Sequence, residues 1–256
     1  MSETHSTSLA GKVAIVTGSS RSIGAAVVRR LSDEGASVVV NYVNNAAPAD
    51  ELVKEITSKG KGNAVAVKAD ASTIAGGQFL LDETLKAFGK IDIVVLNAGI
   101  MGSADLARLD EAQFDAHINA NVKGPLFLAQ AVAPHLPTPG GRIIFFSSTL
   151  TGASAVLPNA LAYVASKGAV EQIVRVLAKD LGSKGITVNA VAPGPVDTTL
   201  FRNGKPEQVI KFITSQHPSN RLGQPEDVAP LVALLSSDAG QWINGQTIRV
   251  NGGFVV

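Results

Sequence analysis

The chain has 256 residues and a mass of 26.3 kDa, and 45% of its residues are apolar, which suits one α/β domain with a sizeable core. Its net charge is +1, and no long basic run indicates nucleic acid or a charged membrane surface as a partner. Because cysteine is absent, disulfides, thiolate catalysis and Cys-ligated zinc are excluded, and a cytoplasmic protein is favoured.

Other features of the composition limit the interpretation further. The four histidines lack the spacing of metal ligands, so we expect no metal site. Residues 1–10 are polar, and we interpret them as a disordered tail ahead of a single domain, residues 11–256. The uncharged stretch 124–141 contains four prolines, so it cannot cross a membrane as one helix.

Short runs rich in β-branched residues alternate with amphipathic segments, the pattern of parallel strands connected by helices. Strands are predicted at residues 13–17, 37–42, 64–68, 91–96, 142–146, 187–192 and 247–250. Helices are predicted between them, including residues 110–133, 159–181 and 225–236. These elements predict an α/β fold with a doubly wound parallel seven-stranded sheet and helices on both faces, the Rossmann arrangement.

The first predicted strand leads directly into a glycine-rich turn. Gly18 follows the strand, and Gly24 lies where a helix would begin. Gly18 permits the tight turn, and Gly24 lets the helix pack closely on the sheet, which leaves backbone N–H groups free for a pyrophosphate. The pattern therefore predicts a dinucleotide site at the carboxyl end of this strand.

A tyrosine and a lysine four positions apart indicate acid–base chemistry. Tyr163 and Lys167 would leave one face of a helix, one turn apart. The ammonium should then lower the pKa of the phenol toward working pH. Upstream, the fifth predicted strand ends in Ser147, Ser148 and Thr149, whose hydroxyls are able to hold a carbonyl oxygen.

In combination these motifs resemble the short-chain dehydrogenase/reductase family, from about Gly11 to the end of the sequence. The family's motifs occur in its order: Thr17 and Gly18 with Gly24, Asp70, Asn97-Ala98-Gly99, Asn121, Ser148, Tyr163 with Lys167, and Pro193-Gly194. The resemblance implies an enzyme that transfers hydride between NADPH or NADP+ and a ketone or its alcohol.

The resemblance implies roles for four catalytic residues. Tyr163 would be the general acid, and Ser148 would position the carbonyl oxygen. Lys167 would bind the nicotinamide ribose and bias Tyr163 toward ionisation. Asn121 would hold a water that links Lys167 to solvent, although a polar residue that caps or kinks its helix is the alternative.

Two hydroxyl residues could occupy the family's carbonyl-binding position, depending on the end from which the motif is aligned. Counting forward from Arg142 along the strand gives Ser148, whereas counting backward from Gly152 or Tyr163 gives Thr149. We favour Ser148, because a strand fixes the direction of its side chains and a loop absorbs an insertion easily.

The resemblance also implies a cofactor site built from several segments. Its candidate contacts are Gly18, Ser20, Arg21, Ser22, Ile23, Gly24, Asn41, Tyr42, Asp70, Ala71, Asn97, Ala98, Gly99, Tyr163, Lys167, Pro193, Gly194, Val196 and Thr198. Asp70 would bind the adenine amino group, although an aspartate after a strand is otherwise a turn residue. Val196 and Thr198 would contact the nicotinamide carboxamide.

Two features of this site bear on the choice of cofactor. NAD-specific members carry an acid at the end of the second strand, where this sequence has Asn41 and Tyr42, and Arg21 lies in the glycine-rich turn. We therefore expect NADPH. Most members have glycine at the position of Ser22, so either its backbone angles are ordinary and its hydroxyl helps to bind phosphate, or the loop is shifted.

Within the family, the closest general resemblance is to 3-oxoacyl-carrier-protein reductases and to fungal-type polyketide and naphthol ketoreductases. No basic cluster marks the predicted mouth of the site, so we favour a carrier-independent ketone reductase over a carrier-protein reductase. A non-catalytic NADPH sensor or scaffold is the alternative of another class. The resemblance also implies a substrate-binding lid at residues 198–221 and a homotetramer, with no nucleic acid or membrane partner.

Overall fold

The computed structural model describes residues 6–256. Its strands are β1 (Val13–Val16), β2 (Ser37–Tyr42), β3 (Ala64–Lys68), β4 (Ile93–Leu96), β5 (Arg142–Phe146), β6 (Thr187–Pro193) and β7 (Thr247–Val250). Its helices are α1 (Ser22–Asp33), α2 (Ala47–Lys59), α3 (Ile74–Phe88), α4 (Glu111–Ile118), α5 (Gly124–Val132), α6 (Leu161–Gly182), α7 (Thr199–Arg202), α8 (Glu207–Ser215) and α9 (Pro225–Ser236).

The strands form one parallel sheet in the order β3-β2-β1-β4-β5-β6-β7. The predicted fold class is confirmed, and every predicted strand is present. The order of the strands reverses between β1 and β4, which makes the carboxyl ends of these two strands the topological switch point of the sheet. The strand ends that carry the predicted motifs therefore lie at one edge.

Helices cover both faces of the sheet, because β1 and its neighbours are apolar on both sides. On one face, α1, α2 and α9 contribute to a hydrophobic cluster that includes Leu31 and Val228. On the other face, α3, α5 and α6 contribute to a second cluster that includes Leu80 and Val174. This packing fixes the start of α1 and the middle of α6 relative to the same strand ends.

The helix predicted over residues 110–133 is interrupted. A π turn, Asn119–Lys123, separates α4 from α5. A Cβ on Gly124 would lie 2.3 Å from the carbonyl oxygen of Ala71, and Pro125 has no N–H to continue the ladder. Close packing on the loop after β3 and the missing donor account for the break.

Part of the tail expected at residues 1–10 lies outside the described residues. Within the described part, Leu9 is fully buried and its N–H donates to the carbonyl oxygen of Glu34 at 2.8 Å. The packed domain therefore begins before Leu9 rather than at residue 11.

Two surface features bear on later sections. None of the helices in residues 6–256 is long and apolar enough to cross a membrane. Trp242, the chain's one tryptophan, lies between α9 and β7 and is 96% exposed.

Candidate active site

The glycine-rich turn after β1 is shaped by hydrogen bonds to β2. The N–H of Gly18 donates to Asn41 Oδ1 at 3.0 Å, and the N–H of Asn41 donates to Ser19 Oγ at 3.0 Å. A Cβ on Gly24 would lie 2.7 Å from the carbonyl oxygen of Gly18, so glycine is required for α1 to start this close to β1. The first N–H groups of α1 are thus placed at the switch point, where a phosphate can bind them.

Asn41 was expected to contact the cofactor, but its side chain is engaged inside the protein. Asn41 is 1% exposed, and its amide nitrogen donates to the carbonyl oxygens of Val67 at 3.3 Å and Ala69 at 2.9 Å. Because Oδ1 already accepts from Gly18, Asn41 acts on the site only by shaping the turn. Tyr42 is half-buried at the end of β2 and packs partly against the core.

Ser22 adopts a backbone conformation that usually belongs to glycine. Its φ is 53°, in the left-handed region where a side chain is disfavoured. Of the two alternatives for Ser22, ordinary backbone angles are therefore wrong. Ser20, Arg21 and Ile23 complete the turn, with Arg21 exposed at the N-cap of α1 and Ile23 packed partly on the core.

The motif after β4 joins this turn to the catalytic side. Asn97 Nδ2 donates to the carbonyl oxygen of Thr17 at 2.9 Å, and the N–H of Ala98 donates to Thr17 Oγ1 at 2.9 Å. A Cβ on Gly99 would lie 2.9 Å from Asn121 Oδ1 and 3.5 Å from Lys167 Nζ. Glycine at position 99 therefore keeps open the space between the strand edge and Lys167.

Asp70 lies in the loop after β3 and forms a turn with one of its carboxylate oxygens. Asp70 Oδ1 accepts from the N–H of Ser72 at 3.0 Å and from its hydroxyl at 2.7 Å. The residue is exposed, and its second carboxylate oxygen has no partner among residues 6–256. The turn and the predicted adenine contact are thus compatible. Ala71 is buried against the start of α5.

Tyr163, Lys167 and Ser148 come together where α6 passes the end of β5. The side chain of Ser148 lies close enough to the Tyr163 hydroxyl to lower the pKa of the phenol. Lys167 Nζ lies 5.9 Å from the centre of the Tyr163 ring and donates to the carbonyl oxygen of Phe146 at 2.8 Å. The spacing of four residues thus places the phenol and the ammonium on one helix face, with the serine hydroxyl opposite them.

The pKa of Tyr163 moves in the direction opposite to the one predicted. Burial of the hydroxyl raises the pKa of Tyr163 above its usual value, and the side chain of Ser148 only opposes this. Burial also lowers the pKa of Lys167 from 10.5 to about 8. The predicted decrease in the pKa of Tyr163 considered the attraction between the phenolate and the ammonium. It did not include the desolvation of both groups by burial.

Asn121 lies in the π turn, and both protons of its amide nitrogen are engaged. Its Oδ1 accepts from the N–H of Ile100 at 2.9 Å, and its Nδ2 donates to the Ile100 carbonyl oxygen at 3.0 Å and to Ser166 Oγ at 2.9 Å. Asn121 therefore fixes the loop after β4 against α6. Its Oδ1 keeps capacity for a second hydrogen bond and borders the same space beside Gly99 as Lys167 Nζ, so the expected water between them stays a prediction.

The three hydroxyls after β5 face different partners. Ser147 Oγ donates to Glu171 Oε1 at 2.7 Å, and Thr149 Oγ1 accepts from Asn251 Nδ2 at 2.8 Å. Ser148 is the one that meets Tyr163. The geometry thus favours Ser148 over Thr149 as the hydroxyl that holds a carbonyl oxygen.

The segment after β6 lines the other side of the site. The N–H of Gly194 donates to the Val250 carbonyl oxygen at 2.9 Å, which anchors the segment after Pro193 to β7. The backbone N–H of Val196 has no hydrogen-bond partner within the described chain, and Thr198 Oγ1 accepts from the N–H of Phe201 at 3.1 Å. Val196 thus keeps a free donor beside the strand edge, and Thr198 caps α7.

The region predicted as a lid contains the short helices α7 and α8. A cleft of about 640 Å³ separates Ser22, in the phosphate-binding turn, from the segment that includes Thr198 and Asn203. On the lid side, Arg202 makes a bidentate ion pair with Asp197, with distances of 2.5 and 2.8 Å. One side of the cleft is therefore the glycine-rich turn. The other side is the segment after β6, which the ion pair between Arg202 and Asp197 stabilises.

Two residues beside the catalytic group were not predicted from the sequence. Glu171 lies one turn after Lys167 on α6, and Asn251 follows β7; both bond to the loop that carries Ser148. The spacing of Tyr163, Lys167 and Glu171 at every fourth position was the available signal for the first of them.

Comparisons with known proteins agree with this geometry. Residues 18–255 match a family model described as enoyl-(acyl carrier protein) reductase. A probable tetrahydroxynaphthalene reductase of Zymoseptoria tritici is 41% identical over 255 residues, which cover 95% of this chain and 94% of the relative. A versicolorin reductase of Emericella nidulans is 41% identical over 264 residues, which cover 99% of each chain.

Solved structures give the same result. A short-chain dehydrogenase from Burkholderia cenocepacia, crystallised in complex with NADP, superposes with a TM-score of 0.90 at 37% identity, covering 96% of this chain and 98% of that one. A dehydrogenase/reductase from Sinorhizobium meliloti superposes with a TM-score of 0.92 at 39% identity, covering 98% of each chain. The chain belongs to the short-chain dehydrogenase/reductase family and is an NAD(P)-dependent oxidoreductase.

Proposed function

We propose that the protein reduces a ketone to an alcohol with NADPH, and that Tyr163 donates the proton. The observation that carries this proposal is the convergence of three groups at the end of β5: the buried ammonium of Lys167 lies 5.9 Å from the Tyr163 ring, and the Ser148 side chain lies beside the phenol. The three groups lie at the same sheet edge as the glycine-rich turn. A carbonyl oxygen between Ser148 and Tyr163 would meet two hydroxyl donors at once.

The residues of the turn fit a dinucleotide. Gly24 and Gly99 lie so close to neighbouring atoms that a Cβ at either position would collide with them. The first N–H groups of α1 are available to a pyrophosphate. When bound, NADPH would supply the hydride. Lys167 would hold the ribose hydroxyls, and the free N–H of Val196 would bind the carboxamide.

The raised pKa of Tyr163 suits the direction of reduction. A phenol whose pKa is raised by burial keeps its proton at neutral pH, and reduction requires that proton to be given to the developing alkoxide oxygen. Ser148 would hold the same oxygen in place. The reverse reaction, oxidation of the alcohol, needs the phenolate and is therefore expected to gain from higher pH.

The preference for NADPH is supported by charge. Arg21 is exposed at the start of α1, and its guanidinium has no partner in residues 6–256. No acidic residue directly follows β2, so no carboxylate there would repel a 2′-phosphate. An Arabidopsis thaliana relative, 40% identical, is named an NADPH-dependent aldehyde reductase-like protein, which favours the same choice.

Purified protein, assayed with NADPH or NADH and a panel of aromatic and aliphatic ketones, tests the proposal. We expect kcat/KM to be at least about tenfold higher with NADPH, the worth of one charge-assisted contact, and Arg21→Ala should lose most of this discrimination. Tyr163→Phe should nearly abolish turnover and leave NADPH affinity almost unchanged. NADPH binding without turnover of any ketone would instead favour a sensor.

A further inference from the structure

Tyr163, Lys167 and Glu171 lie on α6 at intervals of four residues, so they form one row along the helix. The first two belong to the catalytic group. The third is a half-buried carboxylate that the proposed reaction does not use. Its contacts all lead to the loop after β5, which carries Ser148.

Glu171 binds this loop on both sides of Ser148. Its Oε1 accepts from Ser147 Oγ at 2.7 Å and from Thr151 Oγ1 at 2.6 Å. Thr151 Oγ1 also lies 2.8 Å from the carbonyl oxygen of Ser148. Because a hydroxyl has one proton, this carbonyl competes for it with the carboxylate of Glu171, which is the stronger acceptor. One carboxylate oxygen thus holds the residue before Ser148 and the residue three positions after it.

The contact has a consequence for the reacting groups, because Tyr163 and Glu171 share a rigid helix. A carbonyl oxygen can meet the hydroxyls of both Ser148 and Tyr163 only if the loop after β5 lies in a fixed position relative to α6. Hydrogen bonds to a carboxylate are stronger than those between neutral groups. Two such bonds at short distance hold the loop to α6, whereas the loop's bonds to Val191 on β6 and to Asn251 after β7 tie it to the sheet.

We propose that Glu171 is a positioning residue, which holds the hydroxyl of Ser148 against Tyr163 by binding Ser147 and Thr151. The inference rests on the proposed function for its effect on rate, but the fixing of the loop does not depend on it. Glu171 acts through geometry, so an uncharged side chain of the same shape with an acceptor oxygen should serve in its place.

Glu171→Ala and Glu171→Gln, assayed for ketone reduction with NADPH, test the effect on rate. We expect Glu171→Ala to lower kcat about tenfold or more, as a misplaced catalytic group does, with NADPH affinity by calorimetry within about twofold of wild type. Glu171→Gln should recover kcat to within about threefold of wild type. Gln172→Ala, at the neighbouring exposed position of α6, is the matched control and should leave kcat unchanged.

The same substitution in a Ser148→Ala background separates positioning from general stability. If Glu171 acts through Ser148, Glu171→Ala should cost less than about twofold once the hydroxyl is absent. An equal loss in both backgrounds, or wild-type kcat in Glu171→Ala, would overturn the proposal. Should Glu171→Ala fail to fold, Ser147→Ala removes one of the two bonds without removing the contact between Thr151 and the Ser148 carbonyl, and it carries the same expectations.

Hydrogen exchange of the loop gives a readout that needs no turnover. The amides of Leu150 and Thr151, which bond to Ser148, should exchange faster in Glu171→Ala than in wild type and Gln172→Ala. Unchanged exchange would contradict the positioning role even in an active enzyme. Faster exchange in a protein that reduces no ketone would reject the proposed function and retain the positioning of the loop.

Discussion

Lys167 carries its charge in a position where charge is unfavourable. The residue is 5% exposed, and its ammonium donates only to the carbonyl oxygen of Phe146 within the described chain. Burial lowers its pKa from 10.5 to about 8, which corresponds to a penalty of roughly 3 kcal/mol on the charged form. The group needed for the ribose and the phenol thus opposes folding.

Lys167→Met should stabilise the protein at neutral pH while abolishing activity. The penalty is full below pH 8 and fades as pH rises from about 8 to 10.5, because the unfolded chain binds more protons in that window. The variant also loses the hydrogen bond to Phe146, which offsets part of the gain. We therefore expect its free energy of unfolding to be about 1–2 kcal/mol higher than wild type at pH 7, and the difference to be smaller at pH 10.

Urea unfolding of both proteins at pH 7 and pH 10 measures this difference. Lys179→Met, at an exposed position of the same helix, is the control and should show no such pH dependence. A lower stability of Lys167→Met at pH 7 would mean that the ammonium is better paired than its surroundings indicate.

Single substitutions also test whether Ser148 or Thr149 holds the carbonyl oxygen. Ser148→Ala should cost about 2–4 kcal/mol in kcat/KM, as loss of a donor to a developing oxyanion does. Thr149→Ala should cost under about 1 kcal/mol, because the Thr149 hydroxyl is bound to Asn251. Steady-state kinetics of the two variants gives the ranking, and the reverse order would assign the role to Thr149.

Among the elements, β2 and the glycine-rich turn form one unit through Asn41. Asn41→Asp, which places an acid where NAD-specific members have one, should destabilise the protein by about 3 kcal/mol or more instead of switching the cofactor. One oxygen of the new carboxylate would still accept from Gly18, but the other would be buried against the carbonyl oxygens of Val67 and Ala69 without a donor. Thermal unfolding checks this, with Tyr42→Phe as control; a folded, NADH-preferring Asn41→Asp would contradict it.

Helices and strands that are determined by local sequence patterns could be predicted from the sequence. β2 and β5 were predicted at their observed limits, because buried parallel strands are apolar runs bounded by polar residues. The spacing of Tyr163 and Lys167 is likewise local to α6. The turn after β1 and its position at the switch point follow from the same kind of pattern.

The remaining features depend on contacts between distant parts of the chain. Asn41 turns inward because carbonyl groups after β3 accept its amide, and the π turn at Asn121 depends on Ile100 and Ser166. Glu171 and Asn251 bind partners 24 and 102 positions away. The direction of a pKa shift depends on burial, which the sequence of α6 does not contain.

The whole molecule presents apolar side chains outside its core. Phe114 on α4 is 43% exposed and Val176 on α6 is 67% exposed, and Trp242 and Val256 lie uncovered near β7. We propose that these side chains are covered by other subunits in the homotetramer that the family resemblance implies.

We therefore expect light scattering at micromolar concentration to give about four times the 26.3 kDa of one chain. Val176→Glu, which places a charge on α6, should reduce the mass toward that of a smaller assembly without unfolding the protein. A wild-type mass equal to that of a monomer would reject this expectation.

The exposure of Trp242 has a spectroscopic consequence. In one protomer the chain's single indole is already 96% in water, so its fluorescence would change little when that protomer unfolds. Emission shifts to the blue only when the indole leaves water, which here requires a second chain. The emission colour of this protein would therefore report association, and a red shift on dilution at constant circular dichroism would mark subunits separating while still folded.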